Sequence, residues 1–159
     1  AFVSVSAHAW EIIDTVQYVG YDALLPFKQA CQNRYFPYTP YWAGISALNA
    51  GAQALLQEGL PTVFARHQEV ASYCRAQLLE MGLELFPAPD AVQSPTVTAV
   101  NIPTATDWPT WDAALRQHGL VVGGSFGPLD GKVFRLGHMG SQANLDIITQ
   151  ALDIIKKCL

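Results

Sequence analysis

The sequence contains few charged residues and no basic cluster. Charged side chains make up 14% of its 159 residues, and the formal net charge is −4. Because a nucleic-acid-binding face requires clustered lysine and arginine, this composition argues against a nucleic-acid partner. Half of the residues are hydrophobic, whereas disordered chains have the opposite balance. The composition therefore predicts a folded globular chain.

Cysteine is scarce, and the three cysteines are widely spaced at Cys31, Cys74 and Cys158. No CxxC pair and no cysteine–histidine cluster has the spacing of a metal site, so no metal centre is predicted. Reduced thiols in a cytoplasmic protein are the simplest interpretation. A G-x-S-x-G segment, which would indicate a serine hydrolase, is also missing.

Long apolar runs are absent as well. The longest uncharged stretch, residues 35–57, contains two prolines, an asparagine and two glutamines, whereas a membrane-spanning helix needs about 20 predominantly apolar residues. We therefore predict no membrane partner. No basic segment of the signal-peptide type is visible. The chain opens without methionine in a strand-like run, residues 1–6, so we expect a fragment of a longer protein.

Hydrophobic periodicity predicts helices that alternate with short strands. Strands are expected at residues 1–6, 83–86, 96–102, 120–122 and 132–136. Helices are expected at residues 7–15, 42–58, 61–81, 108–118 and beyond 141, with Ser6, Asp107 and Ser141 as N-caps. The buried stripe of the helix at residues 61–81 is expected to contain Phe64, His67, Ala71, Cys74, Leu78 and Met81, and that of the last helix Leu145, Ile148, Leu152 and Ile155. The alternation predicts an α/β chain in which helices cover a small, mostly antiparallel sheet.

Four dispersed histidines are candidate functional residues. His67 lies in a helix stripe and is expected to be a hydrogen-bonded core or interface residue, whereas His8 and His118 are expected to face solvent. His138 follows a strand and fits either a structural hydrogen bond or a functional role. The glycine-rich loop 123–131 precedes a strand rather than a helix, so a hairpin-like connection is expected instead of a phosphate cradle.

Arg135 is the most informative single residue. Strand alternation places it on the face opposite Phe134. Its planar guanidinium has the geometry to bind a substrate carboxylate through two donors. On the pattern alone, an ordinary salt bridge is the more common role of such a residue.

Three blocks of sequence occur in order along the chain. The first is Arg34-Tyr-Phe-Pro-Tyr-Thr-Pro40. The second joins Gly59-Leu60, Arg66-His67 and Leu79-Glu-Met-Gly-Leu83. The third and most specific joins Pro95-Thr-Val-Thr98, Val121-Val-Gly-Gly124 and Gly131-Lys-Val-Phe-Arg-Leu-Gly-His-Met-Gly140. Together they resemble the C-terminal part of class V, pyridoxal-phosphate-dependent aminotransferases of the alanine–glyoxylate and serine–pyruvate group.

The resemblance implies the type I fold of pyridoxal-phosphate (PLP) enzymes, with a large cofactor-binding domain and a small C-terminal α/β domain. Residues 1–40 would be the tail of the large domain, and residues 41–159 the linking helix and the small domain. It also implies a homodimer, in which a segment such as Tyr35, Tyr38 and Thr39 contacts the cofactor phosphate of the neighbouring subunit. Which of the three side chains makes that contact is left open.

The resemblance further implies that Arg135 binds the substrate α-carboxylate and that loop 123–131 lies near the substrate entrance. The Schiff-base lysine of the family precedes a segment like residues 1–6, and none of the four lysines, at positions 28, 132, 156 and 157, matches it. We therefore expect no catalytic residue in this chain, an inactive fragment, and a missing N-terminal portion of the same protein as its partner.

The activity implied for the complete protein is transfer of an amino group from alanine or serine to a 2-oxo acid such as glyoxylate or pyruvate. The sequence does not choose among these donors and acceptors. A PLP-dependent lyase of the same fold and a non-catalytic binding or assembly module remain alternatives. Loop 123–131 has no cysteine, which argues against the related cysteine desulfurases.

Overall fold

The structure, a computed structural model, describes residues 3–159 and consists of two compact units, Ala1–Ala52 and Gln53–Leu159. The first unit contains helix α1 (Ala7–Val16), a 3₁₀ turn (Leu25–Phe27), the short helix α2 (Ala30–Asn33) and most of helix α3 (Trp42–Glu58).

The N-terminal cap of α1 is confirmed. The Ser6 hydroxyl accepts a hydrogen bond from the Ala9 amide at 3.1 Å, which satisfies one of the free N–H groups at the start of a helix. The strand predicted over residues 1–6 is wrong for residues 3–6, which form no regular element, and residues 1 and 2 lie outside the described residues. A strand needs a neighbouring strand for its backbone hydrogen bonds, and none in the described part of the chain pairs with this segment.

The second unit is an α/β layer built around an antiparallel pair of strands. Its elements after α3 are helix α4 (Leu60–Glu80), strand β1 (Val97–Asn101), helix α5 (Trp108–Gln117), strand β2 (Val133–Gly137) and helix α6 (Leu145–Cys158). In the register of the pair, Ala99 lies opposite Arg135 and Val97 opposite Gly137. The predicted α/β class with an antiparallel sheet covered by helices is confirmed.

The core of this unit lies between one face of the sheet and helices α4, α5 and α6. Phe134 is fully buried and its ring packs 5.9 Å from that of Trp111. The other buried members include Val100, Leu136, Cys74, Leu78, Leu115, Ile148, Leu152 and Ile155. Burial of this many apolar side chains supplies the main stabilisation of the unit.

Two helix stripes differ in detail from their prediction. In α4 the buried side begins at Val63 and includes Val70, whereas Phe64 is 66% exposed. His67 follows Val63 by four residues, and this is the spacing that places two side chains on one helix face. In α6, Leu145 is exposed; it is the first residue of the helix, and the buried side of the helix begins one turn later, at Ile148.

Three further predictions are corrected. Residues 83–86 and 120–122 are not strands; nearby, only single bridges form, Leu85 with Val100 and Gly123 with Arg135. Loop 123–131 therefore does not join two full strands. Ser141 lies in a 3₁₀ turn, and the N-cap of α6 is Asn144, whose Oδ1 accepts from the Ile147 amide at 3.1 Å.

Among residues 3–159, no helix combines the length and the apolar character that crossing a membrane requires.

Candidate functional site

Arg135 lies in the middle of β2, on the sheet face that points away from the core. Its neighbours Phe134 and Leu136 are buried, while Arg135 itself is exposed, as the alternation predicted. Ala99 lies opposite it on β1, and Gly137 follows it on the same face. Both of these residues are small, so neither has a side chain that covers the guanidinium.

The guanidinium of Arg135 is held by the chain's own backbone. Its Nε and Nη2 both donate to the carbonyl oxygen of Gly124, at 3.0 and 2.7 Å. The main chain of Arg135 also exchanges two hydrogen bonds with Gly123, at 3.0 and 2.6 Å. Among the described residues no carboxylate lies within salt-bridge distance of Arg135. The salt bridge considered from the sequence is therefore not formed.

One of the two glycines beside Arg135 has a steric reason to be glycine. A Cβ atom at Gly124 would lie 2.8 Å from Cζ2 of Trp108, which is closer than such contacts occur. A Cβ atom at Gly123 would lie 3.4 Å from Nη2 of Arg135, which is the distance of an ordinary contact. The backbone of Gly124 can therefore approach the indole this closely only because the position lacks a side chain.

His67 connects α4 to the segment that follows β2. Its Nδ1 bonds the Val63 carbonyl at 2.7 Å, and its Nε2 accepts from the Gly140 amide at 2.9 Å. A carbonyl can only accept and an amide can only donate, so these partners assign the proton to Nδ1. The prediction of a buried, hydrogen-bonded structural histidine is confirmed.

Arg66 binds the same segment. Its Nη1 donates to the carbonyl oxygens of Gly140 and Ala143, at 2.8 and 2.7 Å, while Nε and Nη2 donate to Glu58 at 2.6 and 2.8 Å. The hydrogen bonds from Arg66 lower the pKa of the Glu58 carboxyl. Arg66 and His67 thus fix the position of Gly140, five residues after Arg135. The sequence showed the two blocks that contain these residues but gave no sign that they meet.

His138 lies on the opposite, core side of the sheet. It is fully buried, and its Nε2 lies 2.8 Å from the hydroxyl of Thr98. Burial lowers the pKa of His138. Burial also raises the pKa of the Cys74 thiol to about 11, against a smaller lowering by the nearby Thr98 hydroxyl. His138 therefore has a structural hydrogen bond and stands apart from the face that carries Arg135.

The predicted cofactor-phosphate residues belong to the other unit, Ala1–Ala52. Tyr38 donates its hydroxyl to the Tyr21 carbonyl at 2.5 Å, and their rings lie 4.7 Å apart. Tyr35 is 66% exposed and Thr39 is exposed, and neither hydroxyl bonds to another described residue. A phosphate accepts hydrogen bonds, so the hydroxyls of Tyr35 and Thr39 fit this group, whereas the donor of Tyr38 is already used.

The described residues contain no group of three His, Cys, Asp or Glu side chains that could hold a metal ion. Arg135 and its glycines are therefore the best-defined candidate site of the second unit.

Comparison with known proteins identifies relatives of this chain. No family model matches the chain. It is 36% identical over 125 residues to an alanine–glyoxylate aminotransferase of Callithrix jacchus, covering 76% of this chain and 30% of that protein. It is 39% identical over 107 residues to an L-aspartate–glyoxylate aminotransferase of Paracoccus denitrificans, covering 67% and 27%.

A solved structure extends the similarity to the fold. The crystal structure of pyridoxamine–pyruvate aminotransferase from Mesorhizobium loti matches with a TM-score of 0.90 at 31% identity, over 97% of this chain and 41% of that one. The chain thus spans less than half the length of each of these proteins. By sequence and by fold, it is homologous to the C-terminal part of the class V, alanine–glyoxylate-type aminotransferases and has the corresponding part of their type I fold.

Proposed function

We propose that the whole protein is a PLP-dependent aminotransferase that moves an amino group from a small amino acid to a 2-oxo acid. The observation that supports this most is Arg135, an exposed arginine that has no acidic partner among residues 3–159 and whose guanidinium is already oriented by the Gly124 carbonyl. Amino acids and 2-oxo acids share one feature, an α-carboxylate. A fixed guanidinium is suited to bind that group in both substrates.

Glyoxylate is the acceptor that we favour. Both curated relatives described above carry glyoxylate in their names, although their amino donors differ. Alanine or serine as donor, and pyruvate as an alternative acceptor, belong to the same proposal. In the bound state PLP supplies an electron sink for the bonds to the substrate carbon, and this chain contributes the groups that bind and orient the substrate.

The segment of Tyr35 and Thr39 is proposed to bind the cofactor phosphate of a neighbouring subunit in a homodimer. Support comes from the two exposed hydroxyls, which have no bond to the described chain. Thr39→Ala should then weaken retention of the cofactor during dialysis, and Tyr38→Phe should not, because the Tyr38 hydroxyl already donates to Tyr21. Equal retention in wild type and Thr39→Ala, or an active monomer at micromolar dilution, would contradict this part.

The lysine that forms the covalent link to the cofactor is proposed to belong to a portion of the same protein outside these residues. The four lysines of this chain match no such position. We therefore expect the 159 residues alone to be inactive and to gain no stable phosphopyridoxyl mass after borohydride treatment with PLP. The cytoplasmic location expected from the free cysteines stays a prediction.

The decisive experiment compares Arg135→Ala and Arg135→Lys in the whole protein. Loss of a two-point charged partner for a carboxylate costs roughly 2–5 kcal/mol, so kcat/KM should fall about 30- to several-thousand-fold in Arg135→Ala. Arg135→Lys should recover only part of the lost kcat/KM, because an ammonium group keeps the charge but lacks the planar fork.

A matched control is Arg116→Ala, since Arg116 is an exposed arginine that pairs with Asp112 one helical turn away. Its turnover and its melting temperature should stay close to wild type. Near-normal turnover in Arg135→Ala would end the carboxylate assignment. A wild-type protein that binds no PLP would indicate a binding or assembly module, and one that eliminates rather than transfers the amino group would indicate a lyase.

A further inference from the structure

We propose that Gly124 and Trp108 are positioning residues that leave only the terminal fork of Arg135, formed by Nη1 and Nη2, directed to a substrate carboxylate. The inference rests on the proposed function and adds two residues and a binding geometry to it. It concerns contacts within the unit Gln53–Leu159 alone.

The hydrogen bonds of Arg135 define which side of the guanidinium is used. A guanidinium can present two pairs of N–H groups to a planar ligand, the side pair of Nε with Nη2 and the terminal pair of Nη1 with Nη2. The Gly124 oxygen accepts from Nε at 3.0 Å and from Nη2 at 2.7 Å, so the side pair is occupied. The terminal pair keeps three N–H groups, enough for two bonds to a carboxylate.

Trp108 determines where the Gly124 carbonyl can lie. Its indole packs against Gly124, so that an added Cβ would lie 2.8 Å from Cζ2 and 2.9 Å from Cε2. Trp108 is itself fixed, because it is the first residue of α5 and packs against the hydrophobic core. The Asp107 carboxylate caps this helix through the Thr110 amide at 2.9 Å. The start of α5 therefore supports the acceptor that orients Arg135.

The surroundings of Arg135 agree with a ligand at the terminal fork. The residues beside it are Ala99 on the neighbouring strand, Gly123 on the loop, and Val133 and Gly137 on its own strand. None of them has a side chain long enough to cover the guanidinium. The terminal fork is therefore left uncovered by these neighbours.

The test substitutes Gly124 by alanine in the whole protein. The φ of Gly124 lies outside the left-handed region, so alanine adds no backbone strain there, and the nearest atoms that its methyl group meets belong to Trp108. We expect KM for the amino acid and for the 2-oxo acid to rise about 10-fold or more, the effect of misplacing one charged hydrogen-bond partner. The calorimetric Kd of propionate, a carboxylate without an amino group, should rise by a similar factor, while retention of PLP stays unchanged.

The second substitution removes the steric cause. Trp108→Leu in the Gly124→Ala background should restore a large part of the affinity, because the smaller side chain makes room for the new methyl group. Gly51→Ala is the matched control, since no atom lies within 4 Å of a Cβ there, and it should change neither KM nor Kd. If Gly124→Ala does not fold, the single variant Trp108→Leu tests the inference instead. This variant should raise both the KM of the substrates and the Kd of propionate, and unchanged values of KM and Kd refute the inference.

The outcomes separate the inference from the proposed function. An active wild type whose KM and propionate Kd are unaffected by Gly124→Ala refutes the positioning role and keeps the function. If Trp108→Leu does not restore carboxylate affinity in the Gly124→Ala background, the positioning role of Trp108 is refuted. A wild type without transaminase activity that binds propionate, and loses this binding in Gly124→Ala, refutes the function and keeps the positioning role.

Discussion

Replacement of His67 by phenylalanine should destabilise the chain measurably while leaving the shape of the helix intact. His67 is 9% exposed and forms two hydrogen bonds, to the Val63 carbonyl and from the Gly140 amide. Phenylalanine keeps a planar aromatic ring, slightly larger than imidazole, but can form neither bond. The Gly140 amide, which belongs to a turn 73 residues away, then loses its acceptor.

The magnitude follows from these two bonds. A typical hydrogen bond contributes about 1 kcal/mol net, and a donor left without a partner costs about 1–3 kcal/mol. The Gly140 amide is only partly buried, so water can replace part of the loss, and we expect a total of about 2 kcal/mol. With an m-value of about 2 kcal/mol/M in urea, this moves the unfolding midpoint down by about 1 M.

The assay is urea unfolding followed by tryptophan fluorescence, with hydrogen exchange of the Gly140 amide as a local readout. His67→Gln should lie between wild type and His67→Phe, because its side-chain oxygen can accept from the same amide. His118→Phe, at an exposed histidine, should shift the midpoint by less than about 0.3 M. A His67→Phe midpoint equal to that of the His118 variant, with unaltered exchange at Gly140, would refute the reasoning.

Three further outcomes are expected. Cys74, whose thiol is buried and has a pKa of about 11, should not react with an aromatic disulfide at pH 7 unless the chain is unfolded, whereas the exposed Cys31 should react at once; rapid labelling of both would contradict the burial. Because the pKa of His138 is lowered in the folded chain, the unfolded chain takes up a proton at this residue at a higher pH than the folded chain does. The free energy of unfolding should therefore fall below about pH 6.5, with a slope of at most about 1.4 kcal/mol per pH unit from this group. Replacing His138 by glutamine should remove that contribution, and an unchanged slope would exclude it. Asn144→Ala should lower the stability by about 1 kcal/mol through loss of the cap, whereas Ser141→Ala should change it by less than about 0.5 kcal/mol; the reverse order in unfolding experiments would restore Ser141 as the cap.

Local rules predicted a large part of the fold. Spacing within a few residues determines the caps at Ser6 and Asp107, the helix from Trp42 to Glu58, and the position of Arg135 on the sheet face opposite Phe134. The two strands were also predicted to within one or two residues of their ends. These features could be derived from the sequence because their physical causes are short in range.

The parts that could not be derived depend on contacts between distant residues. The segment near residues 83–86 alternates like a strand, but only Leu85 pairs with Val100. The bonds from Arg66 and His67 to Gly140 join positions more than 70 residues apart, and no periodicity announces them. The same holds for the indole of Trp108 against Gly124, although the double glycine was a visible signal that something approaches the backbone there.

The fixing of residues 135–140 at both ends has a consequence for where the chain can accept inserted residues. Arg135 is bound to Gly123 and Gly124 before the strand, and Gly140 is bound to Arg66 and His67 after it. The separation of five residues between Arg135 and Gly140 is therefore held at both points. One inserted residue would turn the guanidinium toward the core or break the contacts of Gly140. Insertions and deletions should accordingly be tolerated at residues 125–131 of the loop, after Gly124 and before the strand. An engineered tag or a natural expansion placed there would leave the separation of Arg135 and Gly140 unchanged.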